Sequence, residues 1–173
     1  SYSDVYAFLF FLAAALATLT KGPIGIGLPG LILLIFLLWT RNFSVLRKMR
    51  IFWGSLVYLA IVLAWFVPAI RQEGWEYAYL ITIKQNLGRV YDSFSHARPW
   101  YFYLHTLPWM TLPWFPFFVS AIIHARRTPK ASHERDACKF LWIWWSTTFV
   151  FFSLISGKLE IYLLPLLPPT AIL

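Results

Sequence analysis

Ile51-Phe-Trp-Gly-Ser-Leu-Val-Tyr-Leu-Ala-Ile-Val-Leu-Ala-Trp-Phe-Val-Pro-Ala-Ile70 is a run of twenty residues without a single charge. A helix rises 1.5 Å per residue, so about 20 apolar residues match the hydrocarbon thickness of a bilayer. A helix on a soluble surface would show a polar face, and this run shows none. The stretch reads as a membrane-crossing helix. Its flanks agree: Arg41–Arg50 on one side carries Arg41, Arg47, Lys48 and Arg50 with no acid, and Arg71 opens a long polar interval on the other.

Further apolar runs lie outward from it at Val5–Thr20, Ile24–Thr40, Trp100–Ala125 and Phe140–Ile155, and another opens at Ile161. The chain is 60% hydrophobic and 13% charged, against about half and a quarter in soluble domains, so a soluble globular fold is excluded. The alternating pattern of a membrane β-barrel is absent. The expected fold is all-α: a polytopic transmembrane helix bundle forming one membrane domain over residues 1–173. Its spans fall near 5–20, 24–40, 51–70, 100–125 and 140–155, with a sixth over 161–173 cut short. Ser1 is no natural start and Leu173 falls within an apolar run, so the chain reads as an internal piece of a longer protein.

The net charge of +8 would suggest nucleic acid in a soluble protein. Here the cations flank apolar runs, where they set topology, and no nucleic-acid partner is expected. The single Cys138 excludes an internal disulfide. Arg41–Arg50 and Arg126–Lys139 hold nine of the fifteen Lys and Arg residues and are separated by two spans. The positive-inside rule places both in the cytoplasm. Lys21, the interval Arg71–Pro99 and Lys158 then share the opposite face.

Inside that interval Trp75, Tyr79, Ile83 and Leu87 recur every four residues, predicting a short amphipathic helix that lies in the interface and ends at Gly88. Trp100-Tyr-Phe-Tyr103 reads as an aromatic belt at the membrane surface. Pro108, Pro113 and Pro116 predict a kinked or broken helix beyond it. Gly22 and Pro23 break the chain between the first two runs, and Gly25, Gly27 and Gly30 are small enough to let membrane helices approach closely.

Of the cations on that face, four are candidates to hold an anion: Lys21, Arg89, Arg98 and Lys158. Arginine grips phosphate oxygens with a two-pronged fork, and lysine adds a point charge. Each could also be a mere interfacial anchor that snorkels to water. Lys21 and Lys158 stand out because each sits in a tight glycine turn between runs. Tyr162 follows Lys158 by four residues, one helical turn, which would put its hydroxyl near the same ligand. Glu160 reads as the counter-charge of Lys158. Asp92 and His96, four apart, allow a divalent metal at His96, the only cofactor these residues suggest; the plainer reading is a solvated pair. No convincing catalytic acid or base is present.

In order, Thr20-Lys-Gly-Pro-Ile-Gly25, Asn86-Leu-Gly-Arg89, His96-Ala-Arg-Pro-Trp-Tyr-Phe-Tyr103 and Ser156-Gly-Lys-Leu-Glu-Ile-Tyr-Leu-Leu-Pro165, with Pro168, resemble one family. It is the GT-C type of polyprenyl-phosphate-sugar-dependent glycosyltransferases, nearest the bacterial lipid A 4-amino-4-deoxy-L-arabinose transferases and akin to protein O-mannosyltransferases. The resemblance implies a multi-pass enzyme of the bacterial inner membrane with its active face in the periplasm. It implies a sugar donor linked to undecaprenyl phosphate, an acceptor that is lipid A or protein, and contact with membrane lipids. Lys21, Arg89 or Arg98, Lys158 and Tyr162 would hold the lipid phosphate, and His96 would match a histidine near it. The family's catalytic aspartate would lie upstream of Ser1. The alternative from another class, a flippase of lipid-linked sugars, also needs a phosphate-gripping rim. It should, however, line several spans with polar residues at mid-membrane, and these spans carry almost none.

Overall fold

A computed structural model of the chain describes residues 2–84, 98–112, 115–125 and 132–173. The chain divides into two compact units, Ser1–Leu87 and Gly88–Leu173. All the regular structure among the described residues is helical.

In the first unit α1 (Tyr2–Lys21), α2 (Ile24–Thr40) and α4 (Ile51–Glu73) are the long helices, with a short α3 (Ser44–Lys48) in the basic loop between the last two. The α1–α2 turn is tight because Gly22 takes φ 75°, a left-handed value that costs glycine little. Pro23 then leads into α2, where the first-turn donors lack helical partners in any case. Gly25 faces α1 so closely that a Cβ there would lie 2.4 Å from the carbonyl carbon of Ala17. Leu28 and Ile32 continue the same buried face of α2. A Cβ at Gly27 or Gly30 would meet nothing within 4 Å, so of the three glycines only Gly25 makes a close helix approach in this unit.

α4 returns alongside α1 and runs parallel to it. At one end the Arg50 guanidinium grips Asp4 with two bonds, Nε to Oδ1 at 2.6 Å and Nη2 to Oδ2 at 3.1 Å. Next, Gly54 sits against the Phe11 ring, and further along the Tyr58 hydroxyl meets Thr18 Oγ1 at 3.1 Å. Asp4 and the basic loop therefore share one end of the unit, and Lys21 and Arg71 share the other. Beyond these contacts α4 keeps Leu56, Leu59, Leu63 and Trp65 exposed, as a helix facing lipid or further helices should. α4 stops at Gly74, with φ 84°. α5 (Trp75–Tyr79) follows and passes into a π-helical turn over Leu80–Lys84. The expected helix from Trp75 is thus present to Lys84, its stripe formed by the exposed Trp75, Tyr79 and Ile83. Leu87 and Gly88 lie outside the described residues.

In the second unit the kinked or broken helix expected over Trp100–Ala125 is two helices, α6 (Phe102–Met110) and α7 (Phe115–Ala125). Proline explains the division: it donates no backbone hydrogen bond, and its ring crowds the preceding turn. α8 (Ser132–Leu154) begins eight residues before the expected Phe140 and takes up the end of the second basic loop. Lys139 and Asp136 pair at 3.0 Å across one turn of it. After a non-helical stretch, Glu160–Leu166 forms a 3₁₀ helix, followed by α9 (Leu167–Ile172). The expected span from Ile161 therefore opens as the tighter helix, with Pro165 inside it and Pro168 and Pro169 starting α9. An aromatic ladder carries the packing: Phe118 stacks on Trp145 at 5.2 Å, and Trp145 on Phe149 at 5.2 Å. The Trp145 indole donates to Thr170 Oγ1 at 3.1 Å, tying α9 to α8.

Among the described residues three helices, over Ser3–Lys21, Ile51–Glu73 and Arg135–Leu154, are long and apolar enough to cross a membrane. α2, at 17 residues, is slightly shorter.

Candidate functional site

The turn that follows α8 is built around Lys158. Its side chain is buried, the whole residue only 4% exposed, and Nζ donates to the Ile155 carbonyl at 2.5 Å. Ile155 stands just past the last turn of α8, where carbonyls lack helical partners and a cation is favoured. Burial pushes the Lys158 ammonium below its ordinary value of 10.5. Among the described residues no carboxylate is within ion-pair distance of it. Glu160 is exposed and does not pair with it, so the expected counter-charge is not there. A buried ammonium without a carboxylate is costly unless an anion arrives to pair with it.

Leu159 is the next residue and is extended, φ −120° and ψ 143°. The 3₁₀ helix starts only at Glu160. Lys158 and Tyr162 are therefore not one turn apart on a helix, and the spacing expectation that joined them fails for that reason. What joins them is the Leu159 carbonyl. It accepts the Tyr162 N–H at 3.1 Å and the Tyr103 hydroxyl at 2.9 Å. The Tyr162 ring is half-buried and stacks on Phe152 at 5.2 Å with 24° between the planes.

Arg98 reaches the same turn through its backbone, its N–H donating to the Ser156 carbonyl at 3.4 Å. Its side chain is exposed, with the guanidinium carbon 5.6 Å from the centre of the Phe102 ring. At that range a cation over a ring gains about 0.5–1 kcal/mol at an exposed site. Arg98, Lys158 and Tyr162 thus gather at one turn of the second unit. Lys21 belongs to the first unit, where it is the exposed last residue of α1. Arg89, Asp92 and His96 lie outside the described residues, and with them the expectation of a metal at His96. Elsewhere among the described residues no three His, Cys, Asp or Glu side chains gather.

Tyr103 departs from the aromatic belt that the sequence predicts: Trp100 and Tyr101 are exposed, but Tyr103 is fully buried. Helical spacing offered the signal: Tyr103 and Leu107 are four apart, and both face inward on α6.

This architecture defines a helical integral membrane protein with a desolvated cation in a turn at the end of a span. No protein-family model matches the chain. It is 33% identical over 168 residues to the undecaprenyl phosphate-alpha-4-amino-4-deoxy-L-arabinose arabinosyl transferase 1 of Pseudomonas fluorescens strain Pf0-1, covering 95% of this chain and 28% of that protein. It is 30% identical over 164 residues to the transferase of the same name from Shewanella sediminis, covering 94% and 29%. The crystal structure of ArnT from Cupriavidus metallidurans bound to undecaprenyl phosphate matches with a TM-score of 0.81 at 29% identity, covering 96% of this chain and 29% of that one. The chain therefore has the membrane fold of these transferases and resembles them over nearly its whole length. It spans less than a third of the length of the relatives it matches.

Proposed function

We propose that this chain supplies the lipid-phosphate-binding part of a membrane glycosyltransferase. The enzyme moves a sugar from a polyprenyl phosphate to a periplasmic acceptor, for which lipid A is our first choice. The observation that carries the reading is Lys158: a buried ammonium with no carboxylate partner among the described residues, in a chain whose fold matches that of a transferase solved with undecaprenyl phosphate.

The chemistry follows from the charge. The anomeric carbon passes from a phosphate oxygen to an acceptor oxygen, and polyprenyl phosphate leaves. Negative charge grows on the phosphate oxygens as the glycosidic bond breaks. A fixed cation aimed at them lowers that barrier, because in a desolvated site the interaction is stronger than in bulk water. We assign that role to Lys158, with Arg98 as a second, exposed cation. Tyr162 would donate a hydrogen bond without adding charge. Lys21 and Arg89 remain candidates on the sequence reading. We place the residue that activates the acceptor outside this chain.

The periplasmic side is favoured by topology. The Arg50–Asp4 pair puts the start of α1 beside the basic loop, so Lys21 and the helix from Trp75 stand at the opposite, less basic end of the first unit. In the intact protein, Lys158→Ala should lower sugar transfer on the order of 10²–10³-fold, the usual cost of losing one charge-stabilising donor. Expression and membrane insertion should persist. Full transfer activity in that variant would end the proposal.

A further inference from the structure

Tyr103 is fully buried, and its hydroxyl is a polar group bonded within the protein. It bonds a backbone carbonyl 56 residues away in sequence, in the turn that carries Lys158. We propose that Tyr103 is a positioning residue for a lipid-linked phosphate monoester: by holding the Leu159 carbonyl it fixes the Lys158 ammonium and the Tyr162 ring before the phosphate arrives. The inference rests on the function proposed above.

The geometry makes the Leu159 carbonyl a knot. It sits between the two candidate phosphate ligands in sequence and accepts from both Tyr162 N and Tyr103 Oη, at 3.1 and 2.9 Å. Leu159 itself is extended and lies outside α8; it caps the 3₁₀ helix, whose first bond its carbonyl accepts from the Tyr162 N–H. A second strap joins the same two segments where Arg98 N–H meets the Ser156 carbonyl at 3.4 Å. The stretch from Arg98 to Tyr103 therefore grips the turn at both ends, leaving Lys158 between the grips.

Without the Tyr103 hydroxyl, the Leu159 carbonyl keeps the Tyr162 N–H, so no buried acceptor is orphaned and the fold should lose little. The turn, however, regains freedom that phosphate binding must then remove, and ordering groups on binding weakens affinity directly. A structural role and a positioning role thus make different forecasts for one substitution.

The experiment compares Tyr103→Phe, Lys158→Met and the wild type in the intact detergent-solubilised protein. For each, the melting temperature without ligand and the affinity for undecaprenyl phosphate are measured. Tyr103→Phe should keep a melting temperature near that of the wild type and bind the lipid phosphate about three- to tenfold more weakly, the range of one modest hydrogen bond. Lys158→Met should lose most of the binding. Wild-type affinity in Tyr103→Phe, with binding lost in Lys158→Met, overturns the positioning role alone. Wild-type affinity in Lys158→Met overturns the phosphate reading on which it rests. Should Tyr103→Phe fail to fold, 3-fluorotyrosine at the same position keeps the ring and strengthens the donor. It should bind the lipid at least as tightly as the wild type, and weaker binding would overturn the role.

Discussion

Gly25 offers a sharp test of the helix packing. In a Gly25→Ala variant the new Cβ would stand 2.4 Å from the Ala17 carbonyl carbon and 2.4 Å from the Thr18 nitrogen. Ordinary van der Waals contact begins near 3.4 Å, so α2 must withdraw from α1 by roughly 1 Å. The obstacle is backbone, which cannot swing aside as a side chain would. Overpacking of this kind typically costs about 1–3 kcal/mol, and alanine's better helix propensity returns about 0.5–1 kcal/mol. The net loss should lie near 1–2 kcal/mol, on the order of 1–2 °C in the melting temperature of an intact protein several times this length. Gly27→Ala is the control, since its Cβ meets nothing within 4 Å and only the propensity gain remains. Thermal unfolding of the purified intact protein reads both. A Gly25→Ala variant as stable as Gly27→Ala would refute the close approach of α1 and α2.

Burial holds the Lys158 ammonium below 10.5, and phosphate binding needs the charged form. Affinity for undecaprenyl phosphate should therefore decline with rising pH on the acid side of 10.5, and Lys158→Arg should abolish that decline, because arginine stays charged. In stability the same shift acts oppositely: the buried charge costs the fold at lower pH, and that cost fades as pH rises through the lowered value. Asp4→Asn removes the two-bond pair with Arg50, but the partners are 34% and 59% exposed, so the loss should stay below about 1 kcal/mol by thermal unfolding. For topology, a membrane-impermeant thiol reagent applied to intact cells should label a cysteine placed at Ser93 and spare Cys138; the opposite pattern would reverse the proposed orientation.

Charge and hydropathy made much of this molecule readable. Ile51–Ile70 and Val5–Thr20 were legible because an uncharged helical run has few other places to go, and each extends only a few residues in the structure. Boundaries were lost where polar residues continue a helix, as at Ser132–Lys139, since polarity marks the end of an apolar run and not of a hydrogen-bond ladder. The 3₁₀ start at Glu160 was hidden in the same way: Lys158 and Tyr162 have helical spacing, but one extended residue, Leu159, cancels it. Lys158 itself could be singled out by its glycine turn. Its burial, and its grip on the Ile155 carbonyl, depend on contacts that no local pattern encodes. Tyr103 shows the converse limit, because an aromatic beside Trp100 and Tyr101 looks interfacial until helix phase turns it inward.

The central claim is that Lys158 meets the phosphate of a lipid-linked donor. Its most direct test is the binding of undecaprenyl phosphate to the intact protein, measured at neutral pH for wild type, Lys158→Met and Lys158→Arg. If the claim holds, Lys158→Met weakens binding by at least tenfold, about the 1.4 kcal/mol of one charge-assisted hydrogen bond, while Lys158→Arg retains much of it. Equal affinity in wild type and Lys158→Met would contradict it.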